Sequence, residues 1–175
     1  MNVLPILFVL LGYNNEVDAS KLEKKIESFY SIKVDVIITP KMPKSAYYHA
    51  RNRYRADSIL NYFKKTYPGK RVVGLTSYDI STTKGNVKDW GVFGLGSLVE
   101  NVSITSTYRL KSKNLQDRVE KVILHEMGHS YGLFHCTSGQ PCFMIEGDHT
   151  TKTVDSEPKN LCSSCVKKLT VLRRS

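Results

Sequence analysis

The chain opens on an apolar run, Val3 to Leu11, broken only by Pro5, a pattern that predicts a buried first strand. Val17, Leu22, Ile26 and Phe29 then recur at near-helical spacing with Glu23, Lys24, Lys25 and Glu27 on the other side, which predicts an amphipathic helix. Ile32, Val34, Val36 and Ile38 alternate as a strand does, and Pro40 stops it. Strand, helix and strand in this order make a parallel crossover. From Ser45 to Tyr67, Ala50, Tyr54, Ile59 or Leu60, and Phe63 predict a second helix, closed by Pro68-Gly69. A third strand is expected at Arg71 to Ser77, a polar loop at 79–91, a short apolar segment at Val92 to Leu98, and a further strand at Val102 to Tyr108. Asn114 is placed to cap a helix running from Leu115 to Gly132. No internal repeat is evident.

Composition narrows the class. With 175 residues, 41% of them hydrophobic and 24% charged, the chain fits one compact domain, with room for two subdomains around a cleft. No apolar run approaches the roughly 18 residues of a membrane span, so no membrane association is expected. The N-terminal run has no Lys or Arg before it, is short and lacks a small-x-small cleavage site, so a buried strand and a cytoplasmic location are expected rather than a signal peptide. The net charge of +10 suits an acidic partner or a merely solvated surface. The same two readings hold for Lys44 to Arg71, where Asp57 is the only acid among the bases.

The chemistry is concentrated in His125-Glu126-Met127-Gly128-His129-Ser130-Tyr131-Gly132-Leu133-Phe134-His135, an unbroken H-E-x-x-H-x-x-G-x-x-H. A chain of this composition would show that pattern by chance roughly once in a hundred thousand. Histidines four apart on a helix share a face, so His125 and His129 can each place a nitrogen at about 2.0–2.1 Å from one zinc. Glu126 is turned about 100° away and can reach only a water on the metal's open side, the place of a general base. Gly132 lets the helix end with positive φ and the chain turn back to bring in His135 as third ligand. Three protein ligands leave one position open, the catalytic pattern.

All four cysteines, Cys136, Cys142, Cys162 and Cys165, lie in the last forty residues. Two short-spaced pairs suit a closed tetrahedral zinc, and two disulfides are the competing reading. The reducing compartment expected above favours zinc. Adjacent side chains on non-helical chain point opposite ways, so His135 and Cys136 should face different metals.

In these residues the chain resembles the archaemetzincins, a branch of the metzincin clan of zinc peptidases, in which the catalytic helix runs into a cysteine of a second, four-cysteine zinc site. Phe143-Met144 after Cys142 matches the family's C-x-M, and seventeen residues separate Met144 from Cys162, as in that family. One departure is that the family has four residues between its first two cysteines and this chain has five, Thr137 to Pro141. Looser likeness runs upstream through Val92-Phe93-Gly94 and Arg109-Leu110. The resemblance implies an α/β (α+β) fold: a metzincin-like mixed sheet with a backing helix and the active-site helix, residues 1–132, then a small zinc-stapled C-terminal subdomain, residues 133–175. It also implies that Met144 is the Met-turn under the catalytic zinc. No tyrosine follows Tyr131, so none can serve as an extra ligand past that turn.

The expected function is zinc-dependent peptide-bond hydrolysis through a zinc-bound water, with Glu126 as general base and two Zn2+ per chain, one catalytic and one structural. The alternative is a non-catalytic zinc module contacting nucleic acid or another acidic partner, which leaves the histidine motif unexplained. A peptide or protein substrate is expected, with nucleic acid not expected and the chain a monomer. Val92, Phe93, Gly94, Leu95 and Gly96 are expected to form an edge strand along which an extended peptide pairs, the glycines admitting its backbone. Gly94-Leu95-Gly96 lacks the third glycine of a nucleotide loop. His49 and His149 are expected at the surface, His149 near the cleft.

Overall fold

A computed structural model describes residues 4–173; Val3, included above in the first strand, lies outside them. Five strands form the main sheet in the order β2-β1-β5-β9-β8: β1 (Ile6–Leu11), β2 (Val34–Thr39), β5 (Arg71–Thr76), β9 (Val102–Ser106) and β8 (Gly94–Gly96). Four run parallel, and β8 closes one edge antiparallel to β9. Every residue of β1 is buried because both sheet faces are covered. Ile6, Phe8 and Leu10 point to one core with α1 (Ala19–Tyr30) and α3 (Leu115–Ser130), and Leu7, Val9 and Leu11 point to a second core with α2 (Ala56–Thr66). Gly74 in β5 is the position where Phe63 of α2 presses onto the sheet, since a Cβ there would lie 2.6 Å from its ring. The C-terminal part, with α4 (Thr151–Ser156) and α5 (Ser163–Leu172), adds Phe143, Met144, Val154 and Leu169 to the first core.

Two stretches differ from the expectation. Residues 45–55 are not α-helical: 3-10 turns at 44–46 and 49–51 flank β3 (Tyr47–Tyr48), Asn52 follows at positive φ, and β4 (Arg53–Arg55) leads into α2, so Ala50 and Tyr54 are not α-helix positions. The polar stretch 79–91 is a hairpin, β6 (Ile80–Lys84) and β7 (Val87–Val92), which joins β3 and β4 in a second sheet of order β3-β4-β6-β7. Most of its residues are half-buried or exposed, so no hydrophobic alternation marks it. Helix α3 ends at Ser130, and its end is the one expected: Gly132 has φ +90, with Leu133 N–H donating to Gly128 C=O and Gly132 N–H to His129 C=O.

Candidate metal centres and catalytic cleft

Helix α3 packs across β8 and β9, so its last turns lie against the antiparallel edge strand. His125, His129 and His135 converge there, with one nitrogen of each within 4.8 Å of the others. His125 Nε2 and His129 Nε2 are 3.1 Å apart, close to the roughly 3.3 Å edge of a tetrahedron with zinc–nitrogen bonds near 2.0 Å. Their orientation comes from main-chain carbonyls: His125 Nδ1 lies 2.6 Å from the Phe143 oxygen and His129 Nδ1 2.7 Å from the Leu133 oxygen. Each Nδ1–H donates to its carbonyl, and each Nε2 is left as a lone pair facing the shared point. Burial, with His129 and His135 nearby, pushes His125 down to about 3, so it is neutral and ready to bind metal at neutral pH. His135, reached through Gly132, is exposed.

Glu126 leans the other way, into the cleft wall. Burial pushes its carboxyl up to about 8, against the backbone hydrogen bond it accepts from Gly96 and aided by the nearby Glu157. A Cβ on Gly94 would lie 2.5 Å from Glu126 Cγ, and one on Gly96 would overlap the Glu126 carbonyl oxygen and come within 2.8 Å of His129 Cβ. The two glycines therefore serve the seating of β8 on α3, a use in addition to the substrate approach expected of them. Of the five residues predicted for the edge strand, Gly94 to Gly96 form it, while Val92 ends β7 in the other sheet and Phe93 joins the two. Ser106 N–H donates to Phe93 C=O and Ser97 N–H to Val102 C=O, so odd-numbered residues face β9 and the main-chain groups of Gly94 and Gly96 face outward.

Cys136, Cys142, Cys162 and Cys165 form the second cluster, each sulfur within 4.8 Å of the rest and none in a disulfide. Cys136 Sγ and Cys162 Sγ are 3.6 Å apart, near the roughly 3.8 Å expected for a tetrahedron of thiolates 2.3 Å from zinc. Both donor sets fit zinc, the first open on one side and the second closed. The Ser138 hydroxyl holds the Cys162 thiol below its ordinary range, whereas burial pushes Cys165 up. The extra residue between Cys136 and Cys142 is absorbed by a loop whose Gly139 has φ +71.

Met144 is fully buried and touches both sites through its backbone: its carbonyl accepts from Cys136 N–H at 2.7 Å, and its neighbour Phe143 supplies the carbonyl that orients His125. Gly128 faces it closely, for a Cβ there would overlap Met144 Sδ. A cavity of about 390 Å³ runs from the histidines along β8 and the β6–β7 hairpin to the end of α4. His149, expected at the surface near the cleft, stands in its wall with Nε2 2.6 Å from Lys84 Nζ. The Phe143 and Leu133 carbonyls and Glu157 were not foreseen, since main-chain acceptors have no side-chain signature and Glu157 lies outside any motif.

This fold and this pair of ligand sets define a zinc metallopeptidase of the metzincin kind. Residues 13–171 match the family described as Peptidase family M54. Among curated relatives, the archaemetzincin of Haloquadratum walsbyi is 34% identical over 152 residues, 80% of this chain and 84% of that one. That of Pyrococcus furiosus is 29% identical, with 94% and 91% covered. Among solved structures, the archaemetzincin of Methanopyrus kandleri superposes with a TM-score of 0.81 at 24% identity, covering 99% and 97% of the two chains. The archaemetzincin of Archaeoglobus fulgidus, complexed with malonate, gives 0.78 at 25% identity, covering 93% and 99%. The chain belongs to peptidase family M54, the archaemetzincins. The non-catalytic zinc module is not favoured by these likenesses. Among the described residues no helix is long and apolar enough to cross a membrane.

Proposed function

We propose that the chain hydrolyses peptide bonds with His125, His129 and His135 as the catalytic zinc ligands and Glu126 as general base. Cys136, Cys142, Cys162 and Cys165 hold a second, structural zinc, giving two ions per chain. When bound, the catalytic zinc supplies Lewis acidity, polarising a carbonyl and lowering the pKa of a coordinated water toward 7. Glu126 takes the proton of the attacking water and returns it to the leaving nitrogen. Burial raises its carboxyl in the metal-free protein, and a bound cation lowers it again toward the carboxylate form that a base needs. The main-chain groups of Gly94 and the carbonyl of Gly96, outward on the edge of the sheet, pair with an extended substrate as an added antiparallel strand, the Gly96 N–H being held by Glu126. The described part of residues 1–132 forms one lip of the cleft and that of 133–175 the other, with Met144 as the Met-turn. The protein acts as a cytoplasmic monomer.

The observation that carries this reading is the convergence of three histidine nitrogens, two of them on rings whose tautomers are set by carbonyl partners, beside a half-buried glutamate one residue off the ligand face. Mass-spectrometric mapping of cuts in a proteome-derived peptide library tests it, with Glu126→Ala as control. Cuts made by the wild type and abolished in the variant support it; cuts of equal rate in both would overturn the role of Glu126.

A further inference from the structure

Glu157 ends α4 and lines the same cavity as Glu126. The recess between them is walled by Val122 of α3, by Val154 and Thr153 of α4, and by Gly147, whose Cβ position would lie 3.3 Å from Glu157 Oε1. Among the described residues the Glu157 side chain makes no hydrogen bond and no ion pair. The cations that could have matched it are engaged elsewhere. Lys121 pairs with Asp117 at 3.1 Å and donates to the Val154 and Asp155 carbonyls at 3.0 and 2.9 Å. Lys159 is held by Asp117 and Glu120, and Arg118 by Asp155. Lys84 stands with His149. The charges nearest the carboxylate beyond Lys121 are negative, Asp148 and Glu126.

An acid left half-buried without a partner is costly, and its cost is removed by a ligand that brings the opposite charge. The shape of the recess says which ligand: apolar walls suit a methylene stem and the acid suits a cationic head. We propose that Glu157 is a specificity residue, receiving the ammonium or guanidinium of a Lys or Arg side chain at one fixed position beside the scissile bond. This rests on the peptidase reading of the cleft. Burial pushes the free Glu157 carboxyl up to about 7, in keeping with a charge that lacks its counter-ion. It also gives a basic protein of net charge +10 an acidic spot in its substrate cleft.

The test uses the zinc-loaded full chain and peptides identical except for one residue flanking the cut, set in turn to Lys, norleucine and Glu, with each side of the bond varied separately. The wild type is expected to turn over the Lys peptide with a kcat/KM about tenfold or more above norleucine at one of the two positions. Glu157→Gln should bring that ratio close to one, and Glu157→Lys should move the preference to the Glu peptide. Zinc content and melting temperature show whether each variant is folded; if neither is, the wild-type ratio decides alone. A wild-type ratio near one on both sides, or a Glu157→Gln protein that keeps the Lys preference, overturns the assignment and leaves the peptidase reading standing. Failure of the wild type to cut any peptide overturns both.

Discussion

Replacing Gly94 by alanine adds one methyl group to the edge strand and aims it at Glu126. The new Cβ would sit 2.5 Å from Glu126 Cγ and 2.8 Å from Oε1, whereas ordinary contact begins near 3.4 Å. The carboxylate must give way by about 1 Å, and a displacement of that size at a catalytic group costs on the order of 100-fold in rate. A glutamate side chain can rotate, so the strand and helix need not separate. The expected outcome is a kcat/KM for peptide cleavage about 100-fold below wild type, with zinc content unchanged and melting temperature within a few degrees. Small amide substrates should suffer equally, because the damage falls on the base and not on a strand-binding groove. Gly96→Ala is the contrast: its methyl would overlap the Glu126 carbonyl oxygen, a backbone atom that no rotamer change can move. Overpacking of that kind costs about 2 kcal/mol, or roughly 4–8 °C in melting temperature. Wild-type kcat/KM in a zinc-loaded Gly94→Ala protein would refute the reasoning.

Elemental analysis should find two zinc ions per chain, the chelator-labile one lost first because the histidine site is open on one side and the cysteine site is closed; a single zinc would count against the second site. Cys162→Ser should lower the melting temperature by roughly 5 °C or more relative to Glu126→Ala, since the first removes a ligand of a fold-stabilising ion and the second a group held for chemistry. Equal melting temperatures would contradict that division. In zinc-depleted protein, His125 is depressed to about 3 in the folded state against 6.5 unfolded, so the unfolded chain binds more protons between those values. The His125 contribution is therefore present above pH 6.5 and is lost as pH falls toward 3; urea titrations of wild type and His125→Phe across that window should show the wild type alone losing this increment. Gly128→Ala should lower both activity and zinc retention, because its methyl meets Met144 Sδ and shifts the segment whose carbonyl orients His125; unchanged zinc retention would argue against the coupling.

The parts of this molecule that were legible in its sequence are those in which chemistry or burial imposes a period. The βαβ start, with β1 buried on both faces, and the ligand helix with its glycine stop carry strong local patterns, and each is where the pattern places it. The β6–β7 hairpin was read as a loop because, apart from Ile80 and Ser81, its residues are half-buried or exposed and nothing forces alternation. Residues 45–55 carry a helical pattern, with Ala50 and Tyr54 at helical spacing, yet pairing of Tyr54 with Ile80 and of Tyr47 with Tyr54 outweighs that local preference. At the site, the clustering of three histidines and of four cysteines was legible from type and spacing. The contact of Gly94 and Gly96 with Glu126 and His129 was not legible, because sequence marks a position of close approach without saying which element makes it.

The hydrogen bonds that aim His125 and His129 end on the oxygens of Phe143 and Leu133, and every residue type carries such an oxygen. Alanine scanning through Phe143 or Leu133 would leave both acceptors in place and report only the loss of packing. The groups that set the geometry of the two imidazoles are thus invisible to the most common survey of a candidate active site. Their identity is also open to drift within the limits of core packing: chains that trace the same path can exchange these buried side chains for others of like volume and keep the imidazoles aimed. Methods that perturb the path, such as an ester bond in place of an amide at the following residue, or a loop-length change between Met144 and Asn160, would expose what side-chain substitution leaves hidden.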